Sequence, residues 1–239
     1  MHMDKNSPIE FTLAERDASV TITQWVYATL RHAVMYGKIL PGRALTIREL
    51  AKELDVSPMP IREALRQLGA ENALEIQGNR RVMVPKMTAM KFNELCHARM
   101  AIESHAAERA LPYINDSRLQ LLQQIDAQID HTQISGNHEP ISALNQEFHR
   151  TLYNANPHQV TLPLIESLWL QLGPFMKLAS AHLELSTQVD RHTEALTAIE
   201  NRDAFALQLA IKADIREGFN FASTPEALQR FIDESNRHG

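Results

Sequence analysis

The stretch from Thr46 to Leu68, TIRELAKELDVSPMPIREALRQL, limits what this chain can fold into more than any other. Thr46 followed by Glu49 is a capping-box pattern, in which each side chain satisfies an orphan N–H at a helix start. Ile47, Leu50, Ala51 and Leu54 recur at helical spacing and give that helix one apolar face. Val56 fills a corner. Ser57 opens a second helix, and Pro58 and Pro60 fall where a missing N–H costs little. Ile61, Ala64, Leu65 and Leu68 make the second apolar stripe, while Arg62 and Arg66, one turn apart, fall off it. Two short helices around a tight corner are the pattern of a helix-turn-helix. An ordinary αα-hairpin with solvated charges shares that pattern.

The following segment separates the two. Ala73–Pro85, ALEIQGNRRVMVP, alternates as two short strands around Gly78-Asn79, a hairpin-turn signal, with Arg80 and Arg81 just past the tip. Helix, helix, basic-tipped hairpin is a winged helix. Residues 20–86, and PGRALTIRELAKELDVSPMPIREALRQLGAENAL within them, resemble the GntR family of bacterial transcription regulators, with its Pro-Gly, Leu-Ala helix, Val-Ser corner and Pro-Ile-Arg-Glu-Ala-Leu recognition helix. The resemblance places Arg48 and Arg62 at DNA-contacting positions. It departs at Pro58, where the family usually carries Arg, so a major-groove contact of many relatives is missing here and their operator sequence does not transfer.

The overall charge of −5 is unfavourable for a DNA binder only until it is mapped. Residues 20–86 hold ten Lys/Arg against six Asp/Glu, hence +4, which leaves −9 on the rest of the chain. Phosphate contacts are therefore expected from the first part alone. The 239 residues suit two modest domains. Without a long apolar run or a signal-peptide core, and with Cys96 as the one cysteine, the expectation is a cytoplasmic protein with no disulfide and no membrane span. Cys96 reads as apolar filler on a helix.

In chain order, residues 1–19 read as a flexible tail, and Ile22–Gly37 as an amphipathic helix with Ile22, Val26, Leu30 and Val34 on one face and Gly37 at its C′ position. The helix containing Arg62 runs to Asn72, which tolerates a left-handed cap. Residues 20–86 make the winged helix, joined by a short linker at Lys86-Met87-Thr88. Residues 87–222 form an all-helical domain: Met90–Leu111 stopped by Pro112, Asp116–Ile134, Pro140–Asn154, Leu162–His182 kinked at Gly173-Pro174, Thr187–Glu200 and Asp203–Phe221. Residues 223–239 add a C-terminal helix and tail. The fold class is thus mainly α, an N-terminal winged helix-turn-helix with a two-stranded wing followed by an all-α bundle.

That bundle resembles the FCD branch of the GntR family, on Arg99-x3-Glu103 with Ala106-Ala107, on Asn145-x3-His149 in NQEFHRTLY, and on His192 ahead of LTAIENRD. The resemblance implies a sensor of small carboxylates, in which an Asp and three His commonly hold a divalent metal. Two of those histidines are kept; Asn145 replaces the Asp, and Asp214, 22 residues after His192, stands in for the third His. Asn145 and His149, at i and i+4, share a helical face. With His192 and Asp214 they can ligate Zn²⁺, Mn²⁺ or Ni²⁺. Alternatively His149 and His192 hydrogen-bond each other, Asp214 or a water within a polar pocket.

Arg99 suits a carboxylate held through two parallel hydrogen bonds, or else pairs with Glu103 one turn away. His97, His105, Lys177 and His182 are further residues that can reach the cavity, whereas Met100, Phe148, Trp169, Leu172, Phe175 and Met176 read as wall or core.

The leading expectation is a ligand-responsive regulator, a repressor rather than an enzyme, that binds palindromic double-stranded DNA as a homodimer. Its expected DNA-binding residues are Arg48, Ser57, Pro60, Arg62, Arg66, Arg80 and Arg81, and its expected effector-binding residues Arg99, Glu103, Asn145, His149, His192 and Asp214. No catalytic residue is assigned, and no cofactor beyond the metal. Two alternatives are a metal-dependent enzyme using His149, His192 and Asp214, and a helical protein-interaction module.

Overall fold

The computed structural model describes residues 11, 19–41, 43–77, 81–135, 141–183, 191–219 and 224–237, with the side chains of 133–135, 177–183 and 237 outside the description. In order these form α1 (Ile22–Met35), β1 (Leu45–Thr46), α2 (Ile47–Glu53), α3 (Pro58–Ala70), β2 (Glu75–Ile76), β3 (Arg81–Met83), α4 (Ala89–Ala110), a 3-10 turn (Leu111–Tyr113), α5 (Asp116–Ser135), α6 (Ile141–Tyr153), α7 (Leu162–Leu183), α8 (His192–Glu200), α9 (Ala204–Glu217) and α10 (Pro225–Arg237). The fold is mainly helical with a small sheet, as the sequence leads one to expect. No helix among the described residues is long and apolar enough to cross a membrane.

The chain divides into two units, residues 1–92, 169–184 and 222–239 in one and residues 93–168 and 185–221 in the other. In the first, α3 packs on α1 and α2. Their facing side chains are buried: Val26, Leu30 and Val34 of α1, Leu50 and Ala51 of α2 with Leu54 after it, and Ile61, Ala64, Leu65 and Leu68 of α3. Each buried Leu or Ile stabilises this core by about 1.5–3 kcal/mol. Ile22, expected on the buried face of α1, is 39% exposed, because the face is set from Val26 onward by Thr29, Ala33 and Met35. The Tyr27 hydroxyl donates to Glu71, the residue that caps α3, and Arg31 reaches the same carboxylate at 3.4 Å. Burial, reinforced by Glu71, pushes the Tyr27 phenol up to about 12.

The helix-turn-helix closes as its residues dictate. Thr46 and Glu49 form the capping box, with Thr46 N–H donating to Glu49 Oε2 at 2.8 Å and Glu49 N–H to Thr46 Oγ1 at 3.2 Å. Asp55 takes φ 49°, while its N–H and that of Val56 reach back to the Lys52 and Ala51 carbonyls. This two-bond ending satisfies carbonyls that a helix terminus otherwise leaves open. It recurs at Gly37 (φ 66°) after α1, Asn72 (φ 57°) after α3 and Arg202 (φ 56°) after α8. Gly37 and Asn72 were legible as caps; Asp55 and Arg202 were not.

The sheet has three strands, in order β1-β3-β2 and antiparallel, rather than only the two expected of the wing. Leu45 lies opposite Val82, and Ile76 opposite the same residue on the other side. The wing tip, with Gly78-Asn79 and Arg80, lies outside the described residues, as does nearly all of the expected N-terminal tail.

Several boundaries move, among them that of the helix expected over Asp203–Phe221, which runs Ala204–Glu217 and is capped by Gly218. Pro112 has no N–H to donate, and the helix expected to reach Leu111 ends at Ala110, continuing as the 3-10 turn. The helix expected from Thr187 has its first described turn at His192; residues 184–190 lie outside the description.

Two long-range features complete the first unit. Asn236 of α10 accepts from the Met87 N–H (3.2 Å) and donates to the Met87 carbonyl (2.8 Å), while Phe231 meets the Phe92 ring edge-on at 6.0 Å. The linker expected at Lys86–Thr88 is thereby clasped by the C-terminal helix. Inside α7, next to Pro174, Gly173 lies against the last turn of α1: a Cβ built there would stand 2.1 Å from the Met35 carbonyl oxygen and 2.7 Å from its carbon.

Gly173→Ala therefore cannot be accommodated without moving backbone, and should destabilise the protein by about 3 kcal/mol or more. Gly69→Ala in α3 meets nothing nearer than 3.7 Å. It should raise stability by roughly 0.5–1 kcal/mol through helix propensity. Urea midpoints of the two variants test the contrast.

Candidate functional site

In the first unit, the residues expected to touch DNA are at the surface. Arg48 on α2, Ser57 at the N-cap of α3, and Arg62 and Arg66 on α3 are exposed, Pro60 is half-buried, and Arg81 is exposed on β3. Arg66 is held by Glu63 at 2.6 Å, an exposed i,i+3 pair that costs little to break. Arg80 lies outside the described residues.

In the second unit, a largely buried cluster of polar groups is drawn from five helices. On α6, Asn145, His149 and Tyr153 follow one another at i, i+4 and i+8 and so form one stripe. His149 is 1% exposed and its Nε2 lies 2.9 Å from Asp214 Oδ2 on α9. Its Nδ1 lies 3.1 Å from the Tyr153 hydroxyl, which donates to Glu103 Oε2 on α4 at 3.0 Å. Glu103 Oε1 accepts from Arg99 Nε at 2.6 Å. Arg99, Glu103, Tyr153, His149 and Asp214 thus form one continuous chain.

Proton counting orients that chain. A phenol has one proton, and the Arg99-paired Glu103 takes it. Burial, together with Glu103, holds the Tyr153 phenol well above its usual range, so the proton stays on. His149 must then donate from Nδ1, and its Nε2 turns toward a carboxylate. A lone pair facing Asp214 at 2.9 Å needs a positive charge between them, which a proton or a divalent cation supplies.

His192, the first residue of α8, approaches the same carboxylate from another side. Its Nδ1 lies 3.3 Å from Asp126 Oδ1 on α5, and its Nε2 lies 3.8 Å from Asp214 Oδ1 and 3.4 Å from the Asn145 amide. Phe148 stacks on the ring at 4.0 Å. Both histidines direct Nε2 at Asp214. His149 Nδ1 is hydrogen-bonded to Tyr153, while His192 Nδ1 and Asp126 Oδ1, 3.3 Å apart, are buried without a hydrogen bond between them. An outer partner on Nδ1 is the disposition that orients metal-ligating imidazoles.

Burial disfavours the Asp214 charge, but the His149 hydrogen bond and the charges of His149, His192 and Arg99 outweigh it, and the carboxyl lies below its ordinary value. One donor atom from each of His149, His192 and Asp214 lies within 4.8 Å of the others. Bonds of about 2.0–2.2 Å place two ligands of one ion at most about 4.4 Å apart, so a few tenths of an ångström of closure suffice. The donor set fits a divalent cation, with Asn145 able to turn its amide oxygen inward.

Arg99 makes the ion pair weighed as its duller role, and its Cζ lies 5.6 Å from the Phe219 ring centroid. Burial works against its charge and Glu103 more than restores it. The pair uses Nε–H; a guanidinium has four further N–H donors. His97 and His105 are exposed on α4 and do not join the cluster, while the side chains of Lys177 and His182 lie outside the description. Phe148, Trp169, Leu172 and Phe175 are buried, and Met100 and Met176 half-buried. Cys96 is buried, and that burial pushes its thiol up to about 12.

Two members of the cluster, Tyr153 and Asp126, went unnoticed in the sequence. Tyr153 continues the α6 stripe by one turn and could have been found by extending it. Asp126 reaches His192 from another helix, and no spacing announces that.

A folded carboxylate held below its ordinary value of 3.8 stabilises the native state above that pH, and the contribution is lost as the pH falls through the lower folded value. In chelator-containing buffer, Asp214→Asn should therefore lower stability by about 1–2 kcal/mol at neutral pH. Paired urea titrations should show the gap to the parent closing below about pH 4.

Comparison with known proteins adds the following. Residues 22–84 match the model described as "Bacterial regulatory proteins, gntR family", and residues 94–217 match "FCD domain". "HTH-type transcriptional regulator McbR" of Escherichia coli (strain K12) is 27% identical over 187 residues, 77% of this chain and 85% of the relative. "HTH-type transcriptional repressor RspR" of the same strain is 26% identical over 201 residues, 82% of this chain and 86% of its own. Among solved structures, E. coli McbR/YncC superposes with a TM-score of 0.79 at 24% identity, covering 84% of this chain and 97% of that one. A GntR-type chain from Rhodococcus sp. RHA1 gives 0.67 at 22% identity, covering 88% and 97%. At that identity the two structures speak for the fold.

Proposed function

Because the chain belongs to the GntR family of bacterial regulatory proteins, with an FCD domain behind its DNA-binding domain, we propose that it is a ligand-responsive repressor that binds palindromic double-stranded DNA as a homodimer in the cytoplasm. Residues 20–86 read DNA, residues 87–222 sense a small carboxylate, and residues 223–239 complete the fold behind the linker. One winged helix reads one half-site, so two-fold symmetric DNA calls for two chains. α3 enters the major groove with Arg62, while Arg48, Ser57, Pro60, Arg66, Arg80 and Arg81 meet backbone and groove walls. The relatives named above are transcriptional regulators, and the enzyme reading finds no counterpart in them.

The sensing half rests on one observation: the Nε2 atoms of His149 and His192 lie 2.9 and 3.8 Å from Asp214, with Tyr153 hydrogen-bonded to Nδ1 of the first and the Asp126 carboxylate 3.3 Å from Nδ1 of the second. We read this as a centre for Zn²⁺, Mn²⁺ or Ni²⁺ held by His149, His192 and Asp214, with the Asn145 amide oxygen as a neutral fourth donor. Such an ion supplies a fixed positive charge for an effector carboxylate. Arg99 presents a guanidinium to the same ligand, and Glu103 and Tyr153 keep His149 in its donor tautomer. Effector binding shifts the population of dimers able to span both half-sites.

Selection of bound sequences from a random DNA pool tests the first half: a recovered palindrome is expected, and a pool without preference rejects it. Arg62→Ala should weaken binding to the selected site by about 1–3 kcal/mol. Gel-shift titration measures that loss.

Metal analysis of protein purified without a nickel column tests the second half. A stoichiometric divalent ion is expected, and none under metal-replete conditions rejects it. Chelator competition should show His149→Ala abolishing tight binding and Asp126→Ala lowering affinity roughly 10- to 100-fold.

A further inference from the structure

The first turn of α3 is an unusual surface to offer to DNA. Pro58 and Pro60 occupy its first and third positions, so two of the N–H groups a helix start normally presents are missing. No charged side chain stands between Ser57 and Arg62. In their midst Met59 is 71% exposed, a long apolar side chain at the surface of a helix whose Ile and Leu side chains, Ile61, Leu65 and Leu68, are buried. The N-terminal residues of a recognition helix are those that meet base edges.

A thioether offers no hydrogen-bond donor, but it adapts its shape readily. One feature of the major groove is apolar, the C5-methyl group of thymine. We propose that Met59 is a specificity-determining residue that reads a thymine methyl in each half-site, beside the base addressed by Arg62. This rests on α3 being the recognition helix, as proposed above.

Neighbouring residues agree with such a division. Glu63, the first acidic side chain after Met59, is turned to Arg66 at 2.6 Å and to Gln67 at 3.4 Å. Ser57, exposed at the N-cap, makes no side-chain capping bond to α3. Arg62 supplies a hydrogen-bonded contact one turn further on, while the helix start supplies apolar contact alone.

The experiment uses the full chain and its selected DNA site. Each thymine is replaced in turn by deoxyuridine, which removes the methyl group and leaves base pairing intact, and affinities are measured by fluorescence anisotropy. With the parent protein, one position per half-site should weaken binding about fourfold, the loss expected for one buried methyl. The same replacement should leave Met59→Ala unaffected, and that variant, altered only at an exposed position, should keep the parent's thermal midpoint. The inference is overturned if no thymine methyl matters, or if the deoxyuridine loss persists in Met59→Ala while the parent still selects a palindrome. A pool with no sequence preference overturns the DNA-reading assignment together with it.

Discussion

The buried charges of this fold are set beside groups of opposite or complementary charge. Glu103 is fully buried, His149 and His192 are each 1% exposed, and Asp126 is buried as well. An isolated charge in such surroundings costs several kcal/mol, and breaking a buried pair costs about 3–5 kcal/mol. The helices carrying them must therefore hold these side chains in register. α4 brings Arg99 and Glu103, α5 Asp126, α6 the Asn145–His149–Tyr153 stripe, α8 His192 and α9 Asp214. Of these helices, α5 packs on α6 and α8, and α8 on α9. Apolar packing brings the elements together, and polar complementarity selects one arrangement among the packings that would satisfy it. The same complementarity gives the centre its directionality, since Tyr153 on His149 Nδ1 and Asp126 near His192 Nδ1 leave both Nε2 atoms facing Asp214.

Local chemistry was the most legible part of the chain. A capping box needs only Thr46 and Glu49 three residues apart, and a left-handed cap after a periodic stripe needs only Gly37 or Asn72. Such signals involve neighbours in sequence, and the structure carries them almost unchanged. β1 was missed because two residues cannot show a period; Leu45 and Thr46 become a strand only through pairing with Val82 and Arg81. Asp55 adopts a left-handed conformation although its residue type allows many others, since the Leu54–Val56 corner demands it. Of the candidate centre, Asn145, His149, His192 and Asp214 were readable by family resemblance and do come together. Tyr153 and Asp126 were not read, because what recruits them is the distance between helices.

The DNA-binding half shows how a departure from a family pattern can carry information. Where an arginine is usual, Pro58 removes both a charge and an N–H, and the surface left at the helix start is uncharged. On the proposed reading, specificity in that turn comes from shape and apolar contact, with Arg62 and the wing supplying electrostatics. The acidic balance of the remaining chain keeps that positive charge localised rather than spread over the molecule.

The Asn236 clasp on Met87 joins residues 149 apart in sequence. Chains leave the ribosome from the N-terminus at about 5–20 residues per second, so roughly 7–30 s separate emergence of the two partners. Throughout that interval the peptide group at Met87 must rely on water. The joint at Met87 therefore closes only after α10 has emerged.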